Sequence, residues 1–471
     1  MSNEDPIKLF VKQEKIYPKS VSGRYRRLKW IVILVTLSIY YLTPFLRWNR
    51  GENAPDQAVL IDLVNAKAYF FWIEIWPQEV YILTGVLILA AITMFIATSL
   101  FGRIWCGYLC FQTVWCDLFV WVERVIQGDR NARKKLHEGK WTFNKISKIL
   151  ITHIIWLIIG FLTAGAFVLY FNDAPTLIHN MLQFDVSETV LIFVASLTIS
   201  TYVMAGFAKE QVCAHMCPYA RFQSAMFDRD TLIIGYDERR GEARGKHKRG
   251  DSWEGRGACI DCSACVQVCP VGIDIRNGLQ MECIACGLCI DACNNIMDKV
   301  DLPRGLIRYD TVNHMESAVK GGHEKFNILR IRTIYYALIL AIVGGSLIFA
   351  LANRTLLELH VLHDRNPLFV QLSSGEIRNG YTIKILNKTH ENRIYKLSVS
   401  GIDGAQIEVK SAGDVNADNL YVAADSVGTY HIFISADVSP SNSRDIMFNL
   451  VDSTEKFSSD YKSIFISKKG R

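Results

Sequence analysis

Residues 258–294 read ACIDCSACVQVCPVGIDIRNGLQMECIACGLCIDACN, and a cysteine pattern that occurs twice in this stretch decides its fold. The pattern is Cys-x2-Cys-x2-Cys-x3-Cys; its first copy contains Cys259, Cys262, Cys265 and Cys269, and its second contains Cys283, Cys286, Cys289 and Cys293. Three cysteines two residues apart present three thiolates to one iron-sulfur cube, while the fourth cysteine serves the cube of the other half. The spacing therefore predicts a dicluster ferredoxin-like α+β domain with two 4Fe-4S clusters.

The crossed arrangement also predicts the ligands of each cluster. We expect Cys259, Cys262, Cys265 and Cys293 to hold the first cluster, and Cys269, Cys283, Cys286 and Cys289 to hold the second. A zinc site needs only four ligands in two pairs, which leaves the third and fourth cysteine of each run without a role. Disulfides are not expected, because the charge distribution described below places this stretch in the reducing cytoplasm. Since such clusters carry single electrons, the chain is expected to transfer electrons.

Five apolar stretches predict an integral membrane protein with five transmembrane α-helices. Half of the 471 residues are hydrophobic, and they gather at about 30–46, 80–101, 149–171, 189–207 and 333–352. Each stretch is close to the roughly 20 residues that cross a bilayer as a helix. The first is not a cleavable signal peptide, because a long polar segment precedes it and no small-residue cleavage site follows.

The distribution of lysine and arginine predicts which side each loop faces. The arm before the first span and the loop 124–148 are rich in both residues, whereas the loop 172–188 contains neither. Because cytoplasmic loops carry the excess of positive charge, we expect the N-terminus and the cysteine-rich stretch inside and the C-terminal domain outside. The net charge of +6 then reflects topology and contact with membrane lipid, and no nucleic-acid partner is expected.

These features predict the domain organisation. The order is a cytoplasmic basic arm at 1–29, a transmembrane domain with four helices at 30–235, a charged flexible linker at 236–257, the ferredoxin domain at 258–300, a cytoplasmic connector at 301–332, the fifth helix at 333–352 and a C-terminal domain at 354–471. In the last region, short alternating segments at 369–372, 381–386, 395–399, 406–409, 420–423, 429–435, 446–451 and 462–466 are separated by turns. They predict an immunoglobulin-like β-sandwich, without the usual disulfide because the region has no cysteine.

Two further cysteine pairs follow the second and fourth spans: Cys106 with Cys110, and Cys213 with Cys217. Residues four apart share a helix face, and the repeat of span plus pair predicts that four sulfurs come together at the membrane edge. Soft thiolates select Cu(I), zinc or iron-sulfur centres, and such a pair can also cycle through a disulfide. The alternative is that these cysteines only pack as small apolar residues. His215 and Met216 within the second pair are further candidate ligands.

For several single residues and one segment, a structural role is the first interpretation. We expect Cys116 to be a packing residue and His153 to be an interfacial side chain, although ionisable residues within a membrane also suggest function. The aromatic segment 69–77 (YFFWIEIWP) is typical of a segment lying in the outer membrane interface, and a quinone pocket is the alternative. His360 and His363 are either ligands of a metal at the outer surface or, in the interpretation we prefer, surface histidines.

Several stretches together resemble one family, the cytochrome c oxidase accessory proteins known as CcoG, FixG or RdxA. They are residues 23–30 (GRYRRLKW), both membrane-edge cysteine pairs, the eight-cysteine stretch, residues 302–309 (LPRGLIRY), residues 364–367 (DRNP) and the sandwich. The similarity covers nearly the whole chain. One departure concerns the family pattern Cys-x3-Cys-Pro, which Pro218 keeps but which Phe111 breaks, so that the turn after Cys110 is in question.

The resemblance implies a multi-pass protein of the bacterial inner membrane that reduces Cu(II) to Cu(I) for the copper site of a cbb3-type cytochrome c oxidase. Cys106, Cys110, Cys213 and Cys217 then become candidate catalytic residues and candidate copper ligands, and copper joins the two 4Fe-4S clusters as a candidate metal. The expected partners are membrane lipid, a cytoplasmic electron donor, oxidase subunits or copper-delivery proteins, and a second copy of the chain.

Two other functions stay open at this point. One is an electron conduit from a cytoplasmic donor to a membrane quinone or a periplasmic partner. The other is a scaffold that assembles the oxidase and uses its clusters only for structure. Transfer of electrons from reduced clusters to copper or to quinone separates the first two, and a cluster-free variant that still supports assembly would leave only the scaffold.

Overall fold

The computed structural model describes residues 15–51, 54–247, 252–319, 326–410, 416–438, 443–454 and 456–467. Residues 1–14 of the predicted arm, 248–251 of the predicted linker, 320–325 of the connector and the remaining gaps, which include parts of the C-terminal domain, lie outside the described residues. The chain divides into two compact units. The first contains the residues up to Leu46 and Gln57–Leu347, and the second contains Arg47–Asp56 and the residues from Ile348 onward.

The helices of the described chain follow one another from the basic arm to the last span. They are α1 (Arg24–Leu42), α2 (Val80–Phe101), α3 (Ile104–Tyr108), α4 (Phe111–Gln127), α5 (Arg130–Glu138), α6 (Phe143–Val168), α7 (Ala174–Leu182), α8 (Glu188–Val203), α9 (Lys209–Gln211), α10 (Pro218–Met226), α11 (Glu238–Gly241), α12 (Ala264–Val268), α13 (Leu288–Met297), α14 (Val312–Val319) and α15 (Ile331–Ala352). Two π-helical turns, Met204–Ala208 and Val212–Met216, flank α9 and continue the line of α8.

Five helical segments are long and apolar enough to cross a membrane: α1, α2, α6, α15 and the segment from α8 to Met216. Helix α2 has the predicted bounds, whereas α1 begins at Arg24 because the basic residues before Trp30 form its first turns. Few side chains of these five segments are buried, as expected of surfaces that contact lipid. The chain is therefore a multi-pass membrane protein.

Buried ion pairs hold the helices of the basic loop against the first span. Asp117 on α4 accepts two hydrogen bonds from the Arg26 guanidinium of α1, at 2.9 and 2.7 Å, and lies 3.7 Å from Lys29. Glu123 on the same helix lies 2.7 Å from both Arg133 and Lys209. Because a buried charge is stable only when paired, these carboxylates fix α4 in place. The sequence predicted this loop only as a basic segment.

Two small antiparallel sheets belong to the first unit. Strands β1 (Val59–Asp62), β2 (Lys67–Phe70) and β3 (Ile73–Ile75) form one of them, so that the segment expected to lie along the membrane interface contains a strand pair. Strands β4 (Ile233–Tyr236) and β5 (Ile307–Asp310) form the other. In the sequence, one strand of the second sheet precedes the cysteine-rich stretch and the other strand follows it.

The region predicted as a flexible linker packs against the ferredoxin region in its described part. The backbone N–H of Gly245 donates to the carbonyl of Cys259 at 3.1 Å, and that of Ala258 donates to Arg240 at 2.8 Å. The Arg308 guanidinium bonds Asp237 at 2.9 Å, and Asp237 caps α11. The charged residues of this segment therefore bond one another and the backbone, which is why a composition typical of a linker forms ordered structure here.

The C-terminal domain is a sandwich of two antiparallel sheets. Its strands are β6 (Leu357–His363), β7 (Val370–Gln371), β8 (Ile377–Asn387), β9 (Arg393–Ser400), β10 (Gln406–Lys410), β11 (Leu420–Val422), β12 (Ser426–Ala436), β13 (Arg444–Asp452) and β14 (Ser458–Phe465). One sheet has the order β10-β12-β8-β6, with β7 beside β8, and the other has the order β11-β9-β13-β14. Fully buried Tyr381, Ile383 and Phe448 lie between the sheets. The eight predicted segments correspond to β7–β14, and β6 was missed.

Candidate metal centre

The two cysteine runs form two loops with the same backbone conformation. In each loop the second residue after the first cysteine has a positive φ, 50° at Asp261 and 53° at Ala285. The fourth residue after it also has a positive φ, 54° at Ser263 and 74° at Gly287. Short helices follow: α12 carries Cys265, and α13 carries Cys289 and Cys293. The repeated sequence therefore folds into a repeated loop in which the thiols turn inward.

The loops bring the predicted ligands together in two groups. Cys259, Cys262, Cys265 and Cys293 line one small cavity. Cys269, Cys283, Cys286 and Cys289 line a second small cavity, whose wall also includes Cys265. The fourth cysteine of each run thus lies with the first three of the other run. Cys265 therefore belongs to the walls of both candidate cluster sites.

The geometry and chemistry of both groups fit iron-sulfur clusters. Among the described residues, no three cysteine sulfurs lie within 4.8 Å of one another. A tetrahedral zinc ion with bonds of about 2.3 Å would hold its sulfurs only about 3.8 Å apart. Burial raises the pKa of Cys265 to about 11 and that of Cys269 to about 12, so these thiols become ligands only beside a strongly positive group. Wide spacing and purely thiol lining are what a cube of four irons requires.

The two candidate cluster sites differ in exposure. Cys262, in the first group, is exposed, whereas Cys286 in the second group is buried. Burial raises the pKa of Cys289 well above its usual value, with further increases from the neighbouring thiols of the same group. The first site therefore meets solvent at Cys262, while the second lies deeper in the protein.

The membrane-edge pairs have the same turn geometry despite the missing proline. Cys110 is the N-cap of α4, with φ −62° and ψ 127°, and Cys217 is the N-cap of α10, with φ −78° and ψ 112°. A proline at the first helical position only presets a φ that other residues also adopt, so Phe111 begins a helix as Pro218 does. The question that the departure raised is answered: the two turns are equivalent.

The four membrane-edge thiols form one group. Burial raises the pKa of Cys106 to about 12, and the thiols of Cys110, Cys213 and Cys217 lie near enough to raise it as well. The Cys106 thiol donates to the side-chain oxygen of Gln223 at 3.3 Å. Buried Arg103 lies beside the group and acts in the opposite direction on the same thiol.

The second cluster site contacts the membrane-edge group through α3. Gly107 leaves so little room that a Cβ there would lie 2.6 Å from the carbonyl oxygen of Ile284. The Tyr108 hydroxyl donates to the carbonyl of Cys286 at 3.0 Å. Cys106 itself packs against the apolar group that contains Ile284 and Cys286. The two sites therefore share a direct backbone contact.

A carboxylate between two predicted cluster ligands attaches the ferredoxin region to the first span. Asp291 on α13 accepts hydrogen bonds from the backbone N–H groups of Arg26 at 2.8 Å and Tyr25 at 3.3 Å. Gly23, the N-cap residue of α1, offers no side chain for this purpose. Asp291 therefore caps α1 from a distant part of the sequence.

The remaining predicted residues have other surroundings. His215 and Met216 are exposed rather than directed toward the sulfurs. Cys116 packs in the apolar group around Phe119 and accepts a hydrogen bond from Gln112 at 3.2 Å. His153 lies 3.0 Å from the Tyr202 hydroxyl.

The two histidines of the C-terminal domain do not form a pair. His360 is exposed on β6 beside Glu358, whereas His363 bonds Asn379 at 2.8 Å and packs edge-on against Tyr381. An odd spacing on a strand directs the two side chains to opposite faces, so they do not bind one ion.

Sequence reasoning missed three side chains at these sites: Arg103, Gln223 and Asp291. Arg103 precedes a cysteine motif in the sequence, and this position was a usable signal. Gln223 and Asp291 had no local signal, because their roles depend on contacts across 117 and 265 residues.

Comparisons with known proteins agree with this arrangement. A family profile described as "4Fe-4S dicluster domain" matches residues 208–312, one described as "4Fe-4S binding domain" matches residues 83–131, and one described as "IG-like fold at C-terminal of FixG" matches residues 347–468. With the five apolar helices, they confirm the predicted fold class.

Three relatives are similar over most of the chain. Nitrogen fixation protein FixG of Rhizobium meliloti is 46% identical over 457 residues, which cover 91% of this chain and 87% of the relative. Protein RdxA of Cereibacter sphaeroides is 45% identical over 431 residues, with 91% and 90% covered. Protein RdxB of the same organism is 48% identical over 396 residues, with 83% of each chain covered.

Proposed function

The chain belongs to the FixG family and is an iron-sulfur electron-transfer protein, and from this premise we propose that it reduces Cu(II) to Cu(I) during assembly of a cbb3-type cytochrome c oxidase. The reduction takes place beside the membrane-edge group of Cys106, Cys110, Cys213 and Cys217, which is the last centre to hold the electron. Soft sulfur ligands suit this role because they hold redox-active metal centres, which deliver one electron at a time.

The order of the candidate centres is the observation that carries the proposal. Cys262 exposes the first cluster site to solvent, and Cys265 lies between that site and the second. The second site then contacts the membrane-edge thiols through Gly107 and Ile284. Electrons thus have a continuous route from the solvent-exposed end to the membrane edge.

The electron balance of the proposed reaction is simple. A one-electron donor protein supplies each electron beside Cys262, the electron crosses the wall at Cys265, and it leaves beside Cys106. One Cu(II) ion gains that electron and becomes Cu(I), so one donor electron is consumed for each copper ion. No bond to carbon, oxygen or nitrogen is formed or broken.

We also propose a sidedness and a set of partners. The positive residues of α1 and α5 support a cytoplasmic ferredoxin region in a bacterial cell, with the C-terminal sandwich in the periplasm. The donor is then a cytoplasmic protein, and the sandwich contacts oxidase subunits, copper-delivery proteins or a second copy of the chain. Fusion of a reporter enzyme near residue 280 tests the sidedness, since a periplasmic signal there would contradict it.

A direct assay tests copper reduction. The full chain is reduced with dithionite, freed of excess reductant under argon, and mixed with Cu(II) and a chelator that is coloured by Cu(I). We expect Cu(I) in an amount that matches the electrons lost from the clusters. The double variant Cys110→Ser with Cys217→Ser should be slower, and Cys116→Ser serves as the matched control. Clusters that stay reduced in the presence of Cu(II) would contradict the proposal.

A membrane quinone is a second candidate acceptor, and one cavity favours it. The wall of this cavity contains apolar Val271 and Ile284 together with Gln112 and Lys209. A mostly apolar space with a few hydrogen-bond donors suits a quinone head group. In the same assay, oxidation of the clusters by a short-chain quinone, with none by Cu(II), would favour this function over the first.

A further inference from the structure

The numbers of cysteines in the two matched iron-sulfur ranges do not correspond to whole numbers of clusters with four thiolates each. The match over residues 208–312 contains ten cysteines, of which the two predicted clusters use eight, and 10 − 8 leaves Cys213 and Cys217. The match over residues 83–131 contains only Cys106, Cys110 and Cys116. A four-iron cluster needs four thiolates, so the cysteines left over in either matched range are too few to bind one alone.

The fold brings the leftover cysteine pairs of the two matched ranges together in one site. The Cys106 thiol lies 3.3 Å from the side-chain oxygen of Gln223 on α10, and Cys217 is the N-cap residue of the same helix. The second cysteine of each pair caps a helix in the same extended conformation. Two equivalent turns therefore supply two thiols each to one place.

The spacing of these thiols does not fit a single metal ion. Among the described residues no three sulfurs lie within 4.8 Å of one another, and the membrane-edge thiols are included in this statement. One zinc ion with bonds of about 2.3 Å would need sulfurs about 3.8 Å apart. A group that contains several metal atoms is the better fit, as at the two ferredoxin sites.

Arg103 supplies a positive charge that such a group would balance. Its side chain is 5% exposed, and its guanidinium donates to the backbone carbonyls of Met281 and Ala220. Within the described residues it has no carboxylate partner within 4.0 Å. A buried cation without a counter-charge is costly, and an iron-sulfur cluster with four thiolates carries net negative charge.

Gln223 supplies a hydrogen-bond donor without an acceptor. The residue is 0% exposed, and its side-chain oxygen accepts from the Cys106 thiol at 3.3 Å. Its side-chain nitrogen is buried and has no hydrogen-bond partner in the described structure. A buried donor of this kind costs about 1–3 kcal/mol unless an acceptor is present. The sulfur atoms of a cluster are acceptors that would satisfy it.

We propose that Cys106, Cys110, Cys213 and Cys217 together bind a third iron-sulfur cluster of the four-iron type, with Arg103 balancing its charge and Gln223 donating to its sulfur. The proposal deepens and rests on the proposed function in one respect, namely that electrons leave the protein from this cluster. Binding of the cluster itself is tested without copper.

The first test is the iron and acid-labile sulfide content of the full chain, purified without oxygen. We expect about twelve irons per chain instead of the eight of two clusters. The variant Cys106→Ser, Cys110→Ser, Cys213→Ser, Cys217→Ser should fall to about eight, and Cys116→Ser should stay near twelve. About eight irons in the unmodified chain would overturn the proposal, whether or not the quadruple variant folds.

A second test uses the electron paramagnetic resonance signals in a reductive titration. Gln223→Leu should keep the iron content and lower the midpoint potential of one centre only, because a hydrogen bond to sulfur stabilises the reduced cluster. The quadruple serine variant should lack that centre. If Gln223→Leu changes none of the potentials, Gln223 is not a donor to a cluster. A chain with twelve irons that does not reduce Cu(II) would retain the third cluster and reject copper reduction.

Discussion

The carboxylate of Asp291 accepts a hydrogen bond from the backbone N–H of Arg26 at 2.8 Å, across 265 residues of sequence. Helix α1 begins the membrane domain, and Asp291 lies between Cys289 and Cys293, two of the predicted cluster ligands. The first turn of α1 contains no acidic residue of its own. The ferredoxin region therefore supplies the cap that the first span lacks.

Replacing this cap should weaken the attachment of the ferredoxin region. We expect Asp291→Ala to cost about 0.5–2 kcal/mol, because it removes an N-terminal cap. Asp298→Ala is the matched control, since Asp298 lies at the surface and bonds only Arg304 among the contacts described. Thermal unfolding and protease cleavage in the segment before Arg24 report the difference. Equal stability of the two variants would contradict the capping role.

The pair of Asp117 and Arg26 should be far more sensitive than a surface pair. Burial alone would raise the pKa of Asp117, but Lys29 and Arg26 lower it, so the carboxylate is charged in the folded protein. Asp117→Asn leaves two buried cations without their counter-charge, for which we expect a loss of about 3–5 kcal/mol. Asp56→Asn, which breaks the exposed pair with Arg47, should cost at most about 1 kcal/mol. Chemical denaturation in detergent measures both, and similar losses would refute the role of burial.

The contact at Gly107 should control electron transfer toward the membrane edge. An alanine Cβ there would lie 2.6 Å from the carbonyl oxygen of Ile284, and the backbone cannot yield without moving α3. We expect Gly107→Ala to cost about 1–3 kcal/mol through overpacking and to slow the formation of Cu(I), with unchanged iron in the ferredoxin region. Gly165→Ala is the control, because nothing lies within 4 Å of a Cβ at that position. An unchanged rate for Gly107→Ala would show that electrons do not pass here.

The exposed and deeper cluster ligands should respond differently to serine. Cys262→Ser should remove about four irons while the signal of the second cluster persists, since Cys262 lies at the surface of the first site only. Cys289→Ser should lose both ferredoxin clusters, because α13 carries ligands of each and Cys289 packs in the core between them. Iron analysis with electron paramagnetic resonance distinguishes the outcomes. A variant of Cys289 that keeps the first cluster would indicate two independent sites.

The contact between the basic arm and α5, where Lys15 Nζ lies 3.2 Å from His137 Nδ1, should lose stability in mild acid. Burial, followed by the positive charge of Lys15, lowers the pKa of His137 below its usual 6.5, although Glu123 acts in the opposite direction. Because the unfolded chain binds the proton more readily, this contribution is complete above about pH 6.5 and is lost as the pH falls through the folded pKa. Thermal unfolding between about pH 7.5 and about pH 5.5 should show a smaller decrease for His137→Gln. An identical pH dependence in both proteins would exclude this histidine.

Local sequence was sufficient wherever a short pattern determines its own structure. The spacing of Cys259 to Cys293 predicted which thiols the structure brings together, since both loops are built within a few residues. The apolar length of α2 predicted its two ends. Alternation predicted the strands from β7 to β14, and the same alternation in Leu357–His363 was available but was interpreted through its histidines.

Contacts between distant residues account for what the sequence did not predict. Gln223 and Asp291 look like ordinary polar residues until the fold places them beside Cys106 and Arg26. The charged segment around Arg240 resembles a linker in composition, yet its guanidinium bonds the carbonyls of Pro303 and Arg304. Such partners are chosen by tertiary packing, which no window of neighbouring residues encodes.

The position of Asp291 also sets an order of events during biosynthesis. A ribosome that adds about 5–20 residues per second needs roughly 13–53 seconds to travel from Arg26 to Asp291. During that interval the first turn of α1 lacks its cap, while three later spans are inserted into the membrane. The earliest segment to enter the bilayer is thus among the last to reach its mature form.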